Sequence, residues 1–478
     1  DVNFEKDFRL AISMYENLWN VLQFPNIDIE IEISAFCFGN LLFPLPVYEK
    51  RMDYINIKNP CVVVSSSTGS GKTCLTPIFL LQLDRSVKRL FITQPSSIIV
   101  QSTSKTLRSL LLGKYEIVNN PYKQSKDVQI CVCTPMILVK YLATNFEDDI
   151  KMKQLMTTSR FILDEFHTRN VGLDVLFSKI TSQEFVLPCQ LSLMSATPDK
   201  IIVEQLNPTL VEIPLSTPYN VKHETCEVES IKQAVAEKPS ELCVDLIQKM
   251  MKREIQIGGI LCFTSGKKEC DEIAQNVLLK VKNLKNKGVL CLDIIQDSQS
   301  ANVYKLYENL RIKIKQMKEC QLVVLPVVMA GAATQIEKDF AVSDVPEDLS
   351  NIVVKVIVAT NIIETSITLD NLVAVIDNSL FKEASFDNKK GINVLQEKMI
   401  SPSMQKQRLG RVGRVQNGYT FSIGVKNMEL LQSAPEIKRL DLKQSILELK
   451  SVGVDLESIY ASLPEPPQLQ TINESIKT

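Results

Sequence analysis

The 478-residue sequence predicts an α/β protein of two tandem, mostly parallel sheets, each covered by helices on both faces. Three observations carry that expectation. Short apolar runs alternate with helical stretches twice, first from about residue 61 and again from about residue 242. A glycine-rich turn, Ser67–Thr73 (STGSGKT), lies between the first apolar run and a helical stretch. A basic segment, Gln407–Arg414 (QRLGRVGR), falls late in the second alternating unit.

Residues 1–50 are expected to form a small N-terminal element, with Phe8–Leu22 an amphipathic helix and Leu41–Tyr48 an apolar stretch carrying Pro44 and Pro46. The first sheet domain is expected over residues 51–215. Cys61–Val64 reads as a buried strand that passes through the glycine-rich turn into a helix over Cys74–Leu83. Further strands are predicted at Arg89–Ile92, Val128–Val132, Arg160–Leu163 and Gln190–Met194. A connector is expected around Pro214–Tyr219.

The second sheet domain is expected over residues 216–428. Residues 221–250 lead in, partly as a helix. Strands are predicted at Gly259–Phe263, Val289–Leu292, Gln321–Pro326, Val354–Ala359 and Leu372–Ile376. Phe381–Leu395 reads as a hairpin around Asn388–Gly391. Residues 429–478 read as a helical appendage with a proline-rich end, Leu463–Pro467.

Composition narrows the function classes. A formal net charge of −1 gives no global attraction to nucleic acid, so any strand contact must come from a local groove or from backbone amides and hydroxyls. Twelve cysteines without a repeated CxxC pair, and only two histidines, argue against a structural zinc and for reduced thiols. No signal peptide or uninterrupted apolar 20-mer is read in the sequence, and it opens at Asp1 without a Met, as a fragment or a processed product would.

The motifs supply the chemistry. Gly69, Ser70 and Gly71 can turn backbone amides toward phosphate oxygens at the positive end of a helix. Lys72 would reach the β and γ phosphates and Thr73 would hold Mg²⁺. The full pattern asks for glycine at position 66, where this chain has Ser66. Asp164 and Glu165 close an apolar strand: one carboxylate suits Mg²⁺ and the other can take a proton from the attacking water. His167 can relay the nucleotide state; a charged strand end with a satisfied histidine is the plain alternative. Ser195 and Thr197 end another strand, as coupling hydroxyls or as a helix cap. Gln407, Arg411 and Arg414 share one face if the segment is helical, with two guanidiniums to offset charge on a γ phosphate and Gln407 to orient water. A basic surface helix is the alternative, and Arg408, off that face, is expected in a structural ion pair. In Val358–Asp370, Thr360 and Thr365 can donate to phosphates, and Asn361, Glu364 and Asp370 can face nucleotide or arginines; a surface turn is the alternative.

Over residues 50–470 these motifs, in this order, resemble superfamily 2 helicases of the DEAH/RHA kind, including flavivirus, potyvirus and poxvirus relatives. Motif I resembles Thr68–Thr73, Ia Thr93–Pro95, Ib Thr134–Met136, II Asp164–His167, III Ser195–Thr197, IV Leu261–Ser265, V Ala359–Asp370 and VI Gln407–Arg414. Ser96 and Ser97 stand where an arginine pair usually follows motif Ia, which puts one strand contact in doubt. The resemblance implies two RecA-like P-loop NTPase domains and a winged-helix-like region near Pro435–Val454. It implies phosphate contact by Thr68–Thr73 (Lys72 on the β and γ phosphates), nucleotide contacts by Asn361 and Asp370, Mg²⁺ held by Thr73 and Asp164, Glu165 as base, and Arg411 and Arg414 as fingers. Thr93, Thr134 and Thr365 would touch the nucleic acid backbone. The DEFH and LGRVGR wording leans toward a viral or divergent protein.

The expected activity is NTP-dependent RNA unwinding, moving 3′ to 5′ on a loading strand, with ATP or another NTP and Mg²⁺ as cofactors. DNA is an alternative substrate. Competing readings are a nucleic-acid-stimulated NTPase or translocase without strand separation, an RNA 5′-triphosphatase in a viral replication or packaging complex, and a degenerate scaffold. Single-stranded or partly duplex RNA is the expected partner, with viral replicase or capsid proteins as further candidates. The expected location is the cytoplasm, or the virion or replication complex of an infected cell, with the nucleus the alternative for a cellular protein.

Overall fold

The computed structural model describes residues 36–37, 40, 42 and most of 45–467, leaving out 67–68, 84–85, 124–127, 145–148, 183–189, 199, 214–218, 285–287, 294–301, 318–319, 364–368, 370, 388–389, 426–429, 431–432 and 455–461. The expected helix Phe8–Leu22 lies outside the described residues. The chain forms two compact units. One comprises Asp1–Ser216, Phe386–Asn393 and Ala434–Thr478; the other comprises Thr217–Ser385 and Val394–Ser433.

The first unit holds strands β1 (Cys61–Ser65), β2 (Arg89–Thr93), β3 (Glu116–Val118), β4 (Gln129–Cys133), β5 (Ser159–Leu163), β6 (Leu191–Ser195) and β7 (Thr209–Glu212). They lie in the order β3-β4-β2-β5-β6-β1-β7, and every pairing is parallel. β4, β5 and β6 are buried end to end, and β2 from Leu90 onward, because both faces are covered. One face packs Val62, Val64, Ile92 and Ile162 against Leu75, Ile78 and Phe79 of the helix Lys72–Leu83. The other packs Val63, Phe91, Phe161 and Leu193 against the helices Pro135–Ala143 and Val171–Thr181.

Parallel strands end at the same rim, so register places the motifs. Ser65 pairs with Ser195, and Thr93 with Leu163. The residues just beyond, Ser66, Gln94 and Asp164, therefore share one edge of the sheet. β3 and β7 were not read in the sequence: the first has three residues, and the second has an alternating, half-exposed pattern.

Residues 434–467 belong to this first unit. Helices Glu436–Arg439 and Lys443–Lys450, with the N-cap residue Leu442 of the second, present Ile437, Leu442, Ile446 and Leu449 to the cluster containing Leu138, Leu173 and Leu176.

The second unit holds β8 (Val221–Glu227), β9 (Gly259–Phe263), β10 (Val289–Cys291), β11 (Leu322–Met329), β12 (Val353–Ala359), β13 (Leu372–Asp377) and β16 (Gly418–Gly424), ordered β10-β11-β12-β9-β13-β16-β8 and parallel throughout. Pro326 is tolerated within β11 because β10 pairs only with Leu322–Val324, leaving Pro326 paired on the β12 side alone. A two-stranded ladder, β14 (Leu380–Asp387) with β15 (Ile392–Met399), forms the expected hairpin.

Residues 221–250 are partly helical as expected, with helices Ile231–Ala234 and Glu237–Met251, but Val221–Glu227 ahead of them is an edge strand against β16 that was not expected; its residues are mostly exposed, so no apolar run announces it. One expectation is corrected in this unit. Gln407, Arg411 and Arg414 do not share a helix face. The helix Pro402–Leu409 ends there with Gly410 as its C-cap, and Gly413 has φ 81°, so Arg411 and Arg414 lie in the turn beyond.

Candidate nucleotide site

At the rim of the first sheet, β1 leads through the glycine turn into the helix Lys72–Leu83. Gly69 and Gly71 both have φ 84°, a left-handed backbone that suits glycine. A Cβ on Gly71 would lie 2.8 Å from Leu45 Cδ1 and 3.1 Å from Val47 Cγ1. Val47 N also donates to Ser70 O at 3.0 Å, so the short 3₁₀ segment Pro46–Lys50 braces the turn. Ser66 takes the place of a glycine without disrupting the loop. Its amide donates to Ser195 O at 3.0 Å, and its hydroxyl accepts from Ser70 Oγ at 2.9 Å. Thr68 lies outside the described residues.

Lys72 is only 4% exposed; its Nζ lies 3.5 Å from Ser66 O and 3.7 Å from Glu165 Oε1. Thr73 Oγ1 donates to Asp164 Oδ2 at 2.8 Å, and Gln94 Nε2 donates to the same oxygen at 2.9 Å. The other Asp164 oxygen accepts from the Glu165 amide at 2.9 Å. Burial, and then the Glu165 carboxylate beside it, push the Asp164 pKa up; Lys72 and the bonds from Gln94 and Thr73 oppose this.

His167 Nδ1 lies 3.5 Å from Glu165 Oε2. Burial pulls the imidazole pKa down to about 4, with Lys72 acting in the same direction and Asp164 against it. The neutral ring thus leaves two buried carboxylates facing one ammonium. Glu165 adopts φ 51° and Arg169 φ 44°, so left-handed non-glycine residues bracket the 3₁₀ turn Phe166–Thr168.

The remaining residues of the first unit lie on the same rim or near it. Ser195 Oγ donates to Thr197 O at 2.5 Å and accepts from the Thr197 amide at 3.2 Å, folding motif III in on itself. Thr93 is fully buried, with its hydroxyl 3.5 Å from Ile162 O, so its side chain faces the sheet interior and not a strand. Thr134 is half-buried at the N-cap of the helix Pro135–Ala143, with no side-chain capping bond.

In the second unit, Gln407 and Arg411 are buried, and Arg414 turns back to donate to Gly410 O from Nε at 3.2 Å and Nη2 at 3.1 Å. The ion pair expected of Arg408 is present: Nη1 meets Asp377 Oδ1 at 2.8 Å, with both side chains fully buried. Asn361 is exposed in a 3₁₀ turn, Asn361–Ile363, after β12. Thr365 and Asp370 lie outside the described residues.

Sequence reasoning missed two residues here. Gln94 was read only as part of a strand-contact motif, yet it grips Asp164. Arg169 was not singled out; its Nε and Nη2 bond both carboxylate oxygens of Asp174 at 2.6 and 3.3 Å. The Gln94 contact was derivable from the pairing of β2 with β5, once those strands were placed side by side.

The DEAD/DEAH box helicase family matches residues 49–205, and the helicase conserved C-terminal domain matches residues 290–416. Curated relatives include the pre-mRNA-splicing factor ATP-dependent RNA helicase prp22 of Schizosaccharomyces pombe, 27% identical across 90% of this chain and 34% of that protein. The ATP-dependent DNA/RNA helicase DHX36 of Mus musculus is 27% identical across 91% of this chain and 47% of its own length. The Escherichia coli DEAH/RHA helicase HrpB superposes with a TM-score of 0.65 at 20% identity, over 91% of this chain and 50% of the HrpB chain. The chain thus spans less than half the length of these curated relatives. All three are cellular proteins, so the viral leaning drawn from the DEFH and LGRVGR wording finds no support among them. The two parallel sheets, the small helical region after them and the rim that gathers Lys72, Thr73, Asp164 and Glu165 give this chain the fold of a superfamily-2 DEAH/RHA-like RNA helicase.

Proposed function

We propose that this protein is an NTP-dependent RNA helicase that moves 3′ to 5′ on its loading strand. The observation that carries the reading is the convergence of Lys72, Thr73, Asp164 and Glu165 on one sheet rim beside a left-handed glycine turn. Backbone amides of the turn and Lys72 bind the phosphates. The donor set suits a divalent cation: a hydroxyl and a carboxylate meet at 2.8 Å, and two buried carboxylates share one ammonium. Thr73 and Asp164 would hold Mg²⁺, which when bound supplies charge neutralisation at the phosphates. Glu165 takes the proton from the attacking water, and Lys72 keeps its carboxylate oriented. Gln407, Arg411 and Arg414 are assigned to water orientation and to offsetting charge on the γ phosphate.

Steady-state hydrolysis by the full chain tests the assignment. Lys72→Ala and Glu165→Gln are each expected to lower turnover by about 100-fold or more. Turnover that survives both changes would remove the reading. Unwinding of a duplex with a 3′ overhang, on RNA and on DNA loading strands, separates a helicase from an NTPase that does not part strands.

A further inference from the structure

The turn that carries Glu165 is held at its far end by residues more than 260 positions later in the chain. Arg169 closes the turn in a left-handed conformation, with its amide bonded to Phe166 O at 3.1 Å and Thr168 N bonded to Glu165 O at 3.0 Å. Its carbonyl accepts from Glu436 N at 3.0 Å. Glu436 Oε2 in turn accepts from Val171 N at 3.3 Å. The Arg169 guanidinium divides its donors between Asp174 and Glu465, whose Oε2 lies 3.2 Å from Nη1. Both side chains of the Arg169–Asp174 pair are almost wholly buried, at 6% and 0% exposure.

We infer that Glu436 and Glu465 act as an intramolecular strut for the catalytic turn, with Arg169 as the positioning residue that receives it. A left-handed conformation at a non-glycine residue persists only where its surroundings over-determine it. Here the surroundings are a backbone bond on each side of Arg169 and a two-carboxylate clamp on its side chain. Three residues, spanned by two backbone hydrogen bonds, separate Arg169 from Glu165, so a shift at Arg169 moves the carboxylate. The strut touches neither Lys72 nor the glycine turn among the contacts described above. It therefore sets turnover and leaves nucleotide affinity alone. The kinetic part of this inference rests on the helicase reading; the structural part does not.

Glu465→Gln in the full chain is the mildest probe, since it keeps shape and leaves the Arg169–Asp174 pair in place. Two measurements are made side by side: kcat and KM for NTP hydrolysis, and amide hydrogen exchange over residues 165–171. The expected result is a kcat lowered about tenfold, KM changed less than about twofold, and faster exchange confined to that turn. Glu465→Asp should recover part of the rate. Lys438→Ala, which removes only the flanking partner of Glu465 at 3.3 Å, should match the wild type. Unchanged kcat together with unchanged exchange overturns the strut. So does a rate loss accompanied by faster exchange throughout the first unit, because that marks general destabilisation. A wild-type chain that hydrolyses no NTP sinks the helicase reading, while the exchange measurement still decides whether the strut exists.

Discussion

Thr73 and Asp164, ninety-one positions apart, meet through a 2.8 Å hydrogen bond from Oγ1 to Oδ2. Gln94 reaches the same oxygen from the neighbouring strand end. The carboxylate is thereby fixed before any ligand arrives, at the cost of burying it beside Glu165.

That cost predicts a trade between activity and stability. Asp164→Asn removes a buried charge repelled by Glu165 and keeps the contact to Thr73, against the loss of one acceptor for the Glu165 amide. The ligand-free variant should melt at or above the wild-type temperature, and its hydrolysis should fall by about 100-fold. Calorimetry and turnover on one preparation check both halves. A clearly lower melting temperature contradicts the account.

His167 gives a pH signature. Its folded value of about 4 lies below the ordinary 6.5, so as pH falls the unfolded chain takes up the proton first. The contribution to stability is full above about pH 6.5 and is lost progressively toward pH 4, amounting to roughly 3 kcal/mol. His167→Gln removes that term. The wild type should lose stability relative to the variant across this window, and parallel melting curves from pH 7 to pH 4 would refute it.

Arg408→Ala should destabilise the chain by about 3–5 kcal/mol, because Asp377 is left buried without its partner. The guanidinium also lies 4.9 Å above the Phe263 ring and donates to Leu380 O at 3.1 Å. Chemical denaturation measures the change; a loss under about 1 kcal/mol would show that the pair is dispensable.

Ser379→Gly should stabilise the second unit. Ser379 is fully buried with φ 60°, and its hydroxyl has no hydrogen-bond partner among the described residues. Releasing left-handed strain and a stranded hydroxyl outweighs the added freedom of glycine in the unfolded chain, for a net gain of about 1 kcal/mol. A thermal midpoint that falls on substitution would reject this.

What the sequence disclosed follows from which signals are local. β1 could be read because Cys61–Val64 is an unbroken apolar run, and the turn after it because glycines stand where φ is positive. β8 could not: an edge strand with exposed Lys222, His223 and Glu224 has neither apolar run nor alternation, and only β16 beside it makes it a strand. The geometry of the basic segment was not legible. Spacing alone suggested a shared helix face, while Gly410 and Gly413 stop the helix within that same octet. The grip of Gln94 on Asp164 and of Glu465 on Arg169 depends on pairings hundreds of atoms distant along the chain, which no local window contains.

The attachment of residues 434–454 to the first unit has a consequence for biosynthesis. Ile437, Leu442, Ile446 and Leu449 complete a core whose other members, such as Leu138 and Leu176, leave the ribosome some three hundred residues earlier. Those earlier side chains receive their last partners only after the second sheet has been synthesised, and a chain stopped at residue 425 would lack this part of the packing.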